Sequence, residues 1–207
     1  MNELIRVAIG HAPPKHREAL LSIFALDAAL GRIVATTTEP LIGQMRLTWW
    51  HERLVGLDRG ELTAEPVLAA LQGVIRDYDV TGLMLAELVE GWEALFEPLP
   101  LEIETLKIFA ARRGNRLFDL AARVMVANIS PGLGAGWALI DFAEHCSDEH
   151  TARRCWGTAR IHFENCAING PKPLRILARI NRAKAIRPFD RLKQKISRWV
   201  LVTAVLH

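Results

Sequence analysis

Asp141 and Glu144 stand three residues apart, a spacing that puts two carboxylates on one face of a helix. Such a pair can help hold Mg²⁺, which takes carboxylate and water oxygens in octahedral geometry. It serves more readily as an ion-pair partner, and the permanently charged Arg32 is the expected counter-ion. Asp27 cannot assemble a multi-metal site alone, so a surface or capping role is expected for it. Arg46 is suited to a phosphate group, or to pairing with Glu52 or an acid on a facing helix. Trp49 and Trp50 are candidates for lining a cavity. Adjacent helical residues point about 100° apart, so at least one of them is expected in the core. Cys146, Cys155 and Cys166 lie near His145, His150 and His162, but their spacings match no tight zinc motif. No metal is expected there, and an odd cysteine count argues against a disulfide framework.

The elements that must position these residues are helical. Apolar residues recur at helical spacing and strand alternation is nearly absent. Pro13-Pro14 precede a helix expected over 15–35. Glu39-Pro40 and Glu65-Pro66 each start another, over 40–59 and 66–78, because proline is tolerated at the first helical position. Thr81 is a cap for a helix reaching residue 96. A long helix is expected over 101–127, loosened at Arg113-Gly114-Asn115. Further helices are expected over 133–146, 148–167, 173–185 and 188–205. Leu26, Leu30, Ile33, Leu47, Trp50, Leu54, Leu117, Leu120, Val124, Leu139 and Phe142 fall on the apolar faces and are expected in the core. No long polar linker divides the chain, so residues 1–207 read as one all-α bundle of about eight or nine helices.

Composition fits this reading. The chain has 207 residues, 50% of them apolar and 24% charged, which is an ordinary globular balance. No apolar run approaches the length of a membrane span, and the N-terminus lacks the pattern of a signal peptide, so a cytoplasmic protein is expected. The net charge of +3 is unevenly spread. Between residues 171 and 199 there are ten Lys and Arg and one acid, Asp190, which leaves the preceding part net acidic. The basic block suits an anionic surface such as lipid headgroups. No recognition-helix motif or aromatic stacking pattern accompanies it, so nucleic acid is not an expected partner.

Residues 23–54 resemble the opening of the squalene/phytoene synthase family. In that family the first helix carries an Asp-rich motif, D-D-x-x-D. Here the matching positions read Gly31-Arg32-Ile33-Val34-Ala35, and all three carboxylates are missing. The second family pattern, L-G-x-A-x-Q-x-x-N-x-x-R-D, resembles Leu133-Gly134-Ala135-Gly136-Trp137-Ala138-Leu139-Ile140-Asp141-Phe142-Ala143-Glu144-His145. Its Gln falls on Ala138, its Asn on Asp141 and its Arg-Asp on Glu144-His145. Glu39-Pro40 with residues 44–54, and the segment from Arg112 to Arg123, resemble a divergent branch. That branch includes relatives of the mitochondrial complex I assembly factor of squalene/phytoene synthase type. The resemblance covers roughly residues 19–182.

The resemblance implies an isoprenoid-synthase-like helical bundle. Asp27, Arg46, Trp49, Trp50 and Trp137 are its candidate cavity-lining residues. The family's enzymes ionise prenyl diphosphates in terpenoid biosynthesis, with Mg²⁺ neutralising the leaving pyrophosphate between carboxylates of two facing helices. Without those carboxylates, the expected protein is a pseudoenzyme with a binding or assembly role at a membrane respiratory complex, peripheral at the inner membrane. No cofactor is expected. The alternatives are a prenyl-diphosphate transferase with an altered metal site, the one case requiring Mg²⁺, and a carrier of an apolar isoprenoid or lipid.

Overall fold

The computed structural model describes residues 2–189, and among them every regular element is helical. The chain opens with α1 (Glu3–Gly10), capped by Asn2, whose side chain accepts from the Leu4 amide at 3.0 Å. Sequence periodicity does not single out this short helix. Next come α2 (Pro14–Thr36), α3 (Pro40–Leu57), α4 (Pro66–Asp77) and α5 (Gly82–Glu93), which ends in a 3₁₀ turn (Ala94–Phe96). Prolines set the first helical residues of α2, α3 and α4. Each fixes φ near the helical value and lacks only an N–H that would go unbonded there.

The long helix of the sequence reading is a continuous rod with a defect in it. It consists of α6 (Ile103–Phe109), a π-helical turn (Ala110–Asn115) and α7 (Arg116–Val124). The loosening expected at residues 113–115 is thus a π-turn, and the rod neither breaks nor frays there. Then follow α8 (Leu133–His145), α9 (Glu149–Glu164) and α10 (Lys172–Ala185). The expected helix over 188–205 lies almost wholly outside the described residues.

The helices bury one large cluster that includes Leu26, Leu30, Ile33, Leu47, Trp50, Leu54, Leu117, Leu120, Val124 and Leu139. Phe142 is the exception among the expected core positions. It is only partly buried and packs against the cluster's edge. By length and composition α2 is apolar enough to cross a membrane, contrary to the sequence expectation. Its apolar residues Leu20, Ile23, Phe24, Leu26 and Leu30 are instead fully covered by other helices.

Two junctions fix the geometry around the centre. Asp58, just past α3, accepts from the Gly82 and Leu83 amides at 2.6 and 3.0 Å and so anchors the start of α5. The π-turn and α8 meet backbone to backbone. A Cβ on Gly134 would stand 2.0 Å from the Gly114 carbonyl oxygen, and one on Gly114 would stand 2.3 Å from that of Gly134. Asn115 then accepts from the Ala135 amide at 2.9 Å, satisfying one of the free N–H groups at the start of α8.

Candidate functional site

The π-turn places one residue where the apolar stripe of the rod would otherwise continue. Arg113 follows Leu106, Phe109 and Ala110 and precedes Leu117, all buried, and is itself 3% exposed. A buried guanidinium needs compensating charge, and α2 and α8 supply it. Arg113 grips Asp27 with two hydrogen bonds, Nε to Oδ1 at 2.9 Å and Nη2 to Oδ2 at 3.0 Å. The same Nη2 donates to Asp141 Oδ2 at 2.7 Å. Trp92 of α5 completes the shell, its indole N–H donating to Asp27 Oδ1 at 2.9 Å.

Aromatic rings enclose the cation. The guanidinium carbon lies 4.2 Å from the centre of the Trp92 ring and 4.8 Å from that of Trp137, with Phe109 at 5.4 Å. The remaining amino group, Nη1, is buried without a hydrogen-bond partner. The negative faces of these rings add to the compensation that Asp27 and Asp141 supply. Burial alone would lower the Arg113 pKa, but Asp27 and Asp141 outweigh it and hold it above the ordinary arginine value. The group is a fixed cation.

Above this cluster opens a cleft of about 400 Å³. Asp27, Gly31, Arg32 and Ala35 line it from α2, and Asp141, Phe142 and His145 from α8. The expectation for Asp27 is therefore corrected. It is 4% exposed at the base of the cleft, held by Arg113 and Trp92, and is not a surface cap. The pairing of Asp141 and Glu144 with Arg32 is corrected too. Asp141 pairs with Arg113, and Glu144 turns to Lys184 of α10 at 2.7 Å. Arg32 is exposed on the lip of the cleft. His145 Nδ1 lies 2.7 Å from the Asp141 carbonyl oxygen, and Ala138 is fully buried at the Gly114 contact.

Three candidate cavity residues lie elsewhere. Trp50 is buried under α3, and Trp49 stands on the outside at 40% exposure, edge-on to Trp50 with ring centres 5.5 Å apart. Arg46 is exposed and donates to Thr37 Oγ1 at 3.0 Å, pairing with neither Glu52 nor a facing acid. All three belong to α3, which packs chiefly on α5 and does not border the cleft. Trp137 does belong to the cluster, as one wall around Arg113.

The donor set does not fit a divalent cation. The carboxylates at the base of the cleft, Asp27 and Asp141, are both engaged by Arg113, and Arg32 adds a second positive charge. Mg²⁺ would have to displace a guanidinium from its bidentate partner. A carboxylate could not simply be restored at position 31 either, because a Cβ there would stand 2.7 Å from the Trp92 ring. Among the described residues no group of three or more His, Cys, Asp or Glu is placed to hold a metal.

Residues 6–156 match the family model described as squalene/phytoene synthase. The chain belongs to this family. A comparison with curated proteins finds no match. The all-helical architecture agrees with the squalene/phytoene synthase fold that the resemblance implied. Sequence reasoning missed Arg113 and Trp92 as parts of the site. A signal for Arg113 was present, since it falls in the buried stripe of the rod as Asp27 does in that of α2. A charge on an apolar helical face marks a buried group that needs a partner of opposite charge.

Proposed function

We propose that this chain is a non-catalytic member of the squalene/phytoene synthase family, with a binding or assembly role at a membrane respiratory complex. The observation that carries the first half is the Arg113 guanidinium seated between Asp27 of α2 and Asp141 of α8. In the family's enzymes, facing helices gather Mg²⁺ between their carboxylates. Here an internal cation takes that role permanently and cannot leave with pyrophosphate. The respiratory assembly role rests on the resemblance of residues 39–54 and 112–123 to the complex I assembly branch. With that role goes a cytoplasmic protein, peripheral at the inner membrane.

The test is pyrophosphate release from farnesyl or geranylgeranyl diphosphate in a coupled assay, with and without Mg²⁺. No release is expected in either case. Mg²⁺-dependent release would establish the transferase alternative and overturn the non-catalytic reading. The assembly role is tested separately, by deleting the gene and measuring the amount of intact complex I in the membrane. Unchanged complex I would remove that part of the proposal.

One observation favours a second reading, an isoprenoid or lipid carrier. The cleft remains open at about 400 Å³, with Phe24, Val34, Leu95 and Phe142 on its walls. An apolar chain fits such walls without any metal. Native mass spectrometry of the purified protein checks this, a co-purifying lipid supporting the carrier and its absence after exposure to lipid extract excluding it.

A further inference from the structure

The cleft between α2 and α8 carries charge of opposite sign at its lip and at its base. At the lip stands the Arg32 guanidinium, exposed and without a side-chain partner among the described residues. At the base one guanidinium, Arg113, faces two carboxylates, Asp27 and Asp141, so the triad holds one net negative charge. Asp27 is fully engaged. Its Oδ1 accepts from Trp92 and Arg113, and its Oδ2 from Arg113. Asp141 is not. Only its Oδ2 meets Arg113, and its side chain is 21% exposed and lines the cleft. Its Oδ1 is an acceptor without a partner among the described residues. The surrounding walls are mostly apolar, and Phe24, Trp92 and Phe142 contribute aromatic rings to them.

On the carrier reading of this cleft, we infer that its ligand is an apolar chain ending in an ammonium group, which donates to Asp141 Oδ1. The two charges compete to choose the head group, and their surroundings decide between them. The triad is withdrawn from water, where a charge attracts its partner several times more strongly than at the surface. Arg32 stands in solvent, and salt screens it. The base therefore outweighs the lip. A carboxylate or phosphate head would meet like charge at the base. A hydroxyl can donate to Asp141 but leaves the net charge in place. An ammonium does both, donating and neutralising, and the aromatic walls add a cation–π attraction. Mg²⁺ requires several oxygen ligands and would have to strip them from Arg113, whereas an ammonium needs only the one oxygen that is free.

Decylamine, 1-decanol and decanoate share one tail and differ only in the head. Isothermal titration calorimetry of the full chain with each, at neutral pH and below the micellar range, tests the inference. The net charge of +3 on the whole chain favours decanoate and disfavours the amine, so a preference for the amine must come from the cleft. Decylamine should bind about tenfold or more tightly than 1-decanol, with decanoate weakest. Asp141→Asn keeps an oxygen for Arg113 and removes the negative charge, and it should bring the amine down to the affinity of the alcohol. Arg32→Gln should tighten the amine and leave the alcohol unchanged. If none of the three binds, the carrier reading falls and the inference with it. If 1-decanol or decanoate binds as tightly as decylamine, the ammonium head is wrong and the carrier reading stands. An amine preference that persists in Asp141→Asn also overturns the assignment. The ranking on the wild-type protein decides the matter even where a variant fails to fold.

Discussion

Arg113 decides more about this protein than any other single side chain. Its two acidic partners come from helices far apart in sequence, so the triad ties α2, the π-turn and α8 together at one point. Removing the cation leaves Asp27 buried with only the Trp92 N–H to stabilise its charge. Arg113→Met should therefore cost roughly 3–5 kcal/mol of stability, the usual range for breaking one side of a buried pair. Urea denaturation measures it. Combining Arg113→Met with Asp27→Asn should cost clearly less than the sum of the two single changes, because the second no longer strands a charge. The two residues were legible in the sequence in one sense, each being a charge on an apolar helical stripe. Their pairing was not, since periodicity gives the face of a helix and not its neighbour. Of the three cysteines, Cys155 is the one that lies buried in the core. Burial pushes the Cys155 thiol up to about 12, so it should stay unlabelled by maleimide at neutral pH until the protein is unfolded.

Helices were the readable level of the structure because their starts are written in local chemistry. Pro14, Pro40 and Pro66 begin α2, α3 and α4, and Thr81 and Asp148 cap α5 and α9 by accepting from Met84 and Thr151 amides. What could not be read is how closely two helices approach. The Gly114–Gly134 contact brings the π-turn and α8 together with no side chain between them, and this proximity lets Arg113 reach Asp141. Gly134→Ala must push the two backbones apart. It should destabilise the protein by about 1–3 kcal/mol or more through overpacking. Gly157→Ala is the matched control. That glycine is exposed within α9 and a Cβ there would meet nothing within 4 Å, so alanine should stabilise by up to about 1 kcal/mol. Thermal denaturation of the pair separates tight packing from helix propensity. If Gly134→Ala proved as stable as the wild type, the close approach of the two helices would be wrong.

The charge of the whole molecule is concentrated towards its C-terminal end, and the fold limits what that charge can do. On α10, Lys172, Arg179, Arg182 and the following Arg187 are exposed, while Leu174, Leu177 and Ala178 are buried against the bundle. The sequence reading matched this basic block to an anionic surface such as lipid headgroups, where an apolar face beside it would add insertion. The structure shows that α10 spends that face on its contacts with α8, α9 and α1, and it therefore has none left to insert. The remaining basic positions Arg191, Lys193, Lys195 and Arg198 lie outside the described residues. A contact with an anionic bilayer would then be electrostatic, each basic residue near the surface contributing about 1 kcal/mol. Such attraction decays over about 10 Å at 0.1 M salt and is lost when salt is raised well beyond that. Co-sedimentation should show binding to anionic vesicles, none to neutral ones, and release at high salt. Changing Arg179, Arg182 and Arg187 together to Gln should weaken the binding without affecting the fold, because all three are exposed. Equal binding to both kinds of vesicle, or binding that resists salt, would mean that an apolar surface other than α10 holds the protein to the membrane.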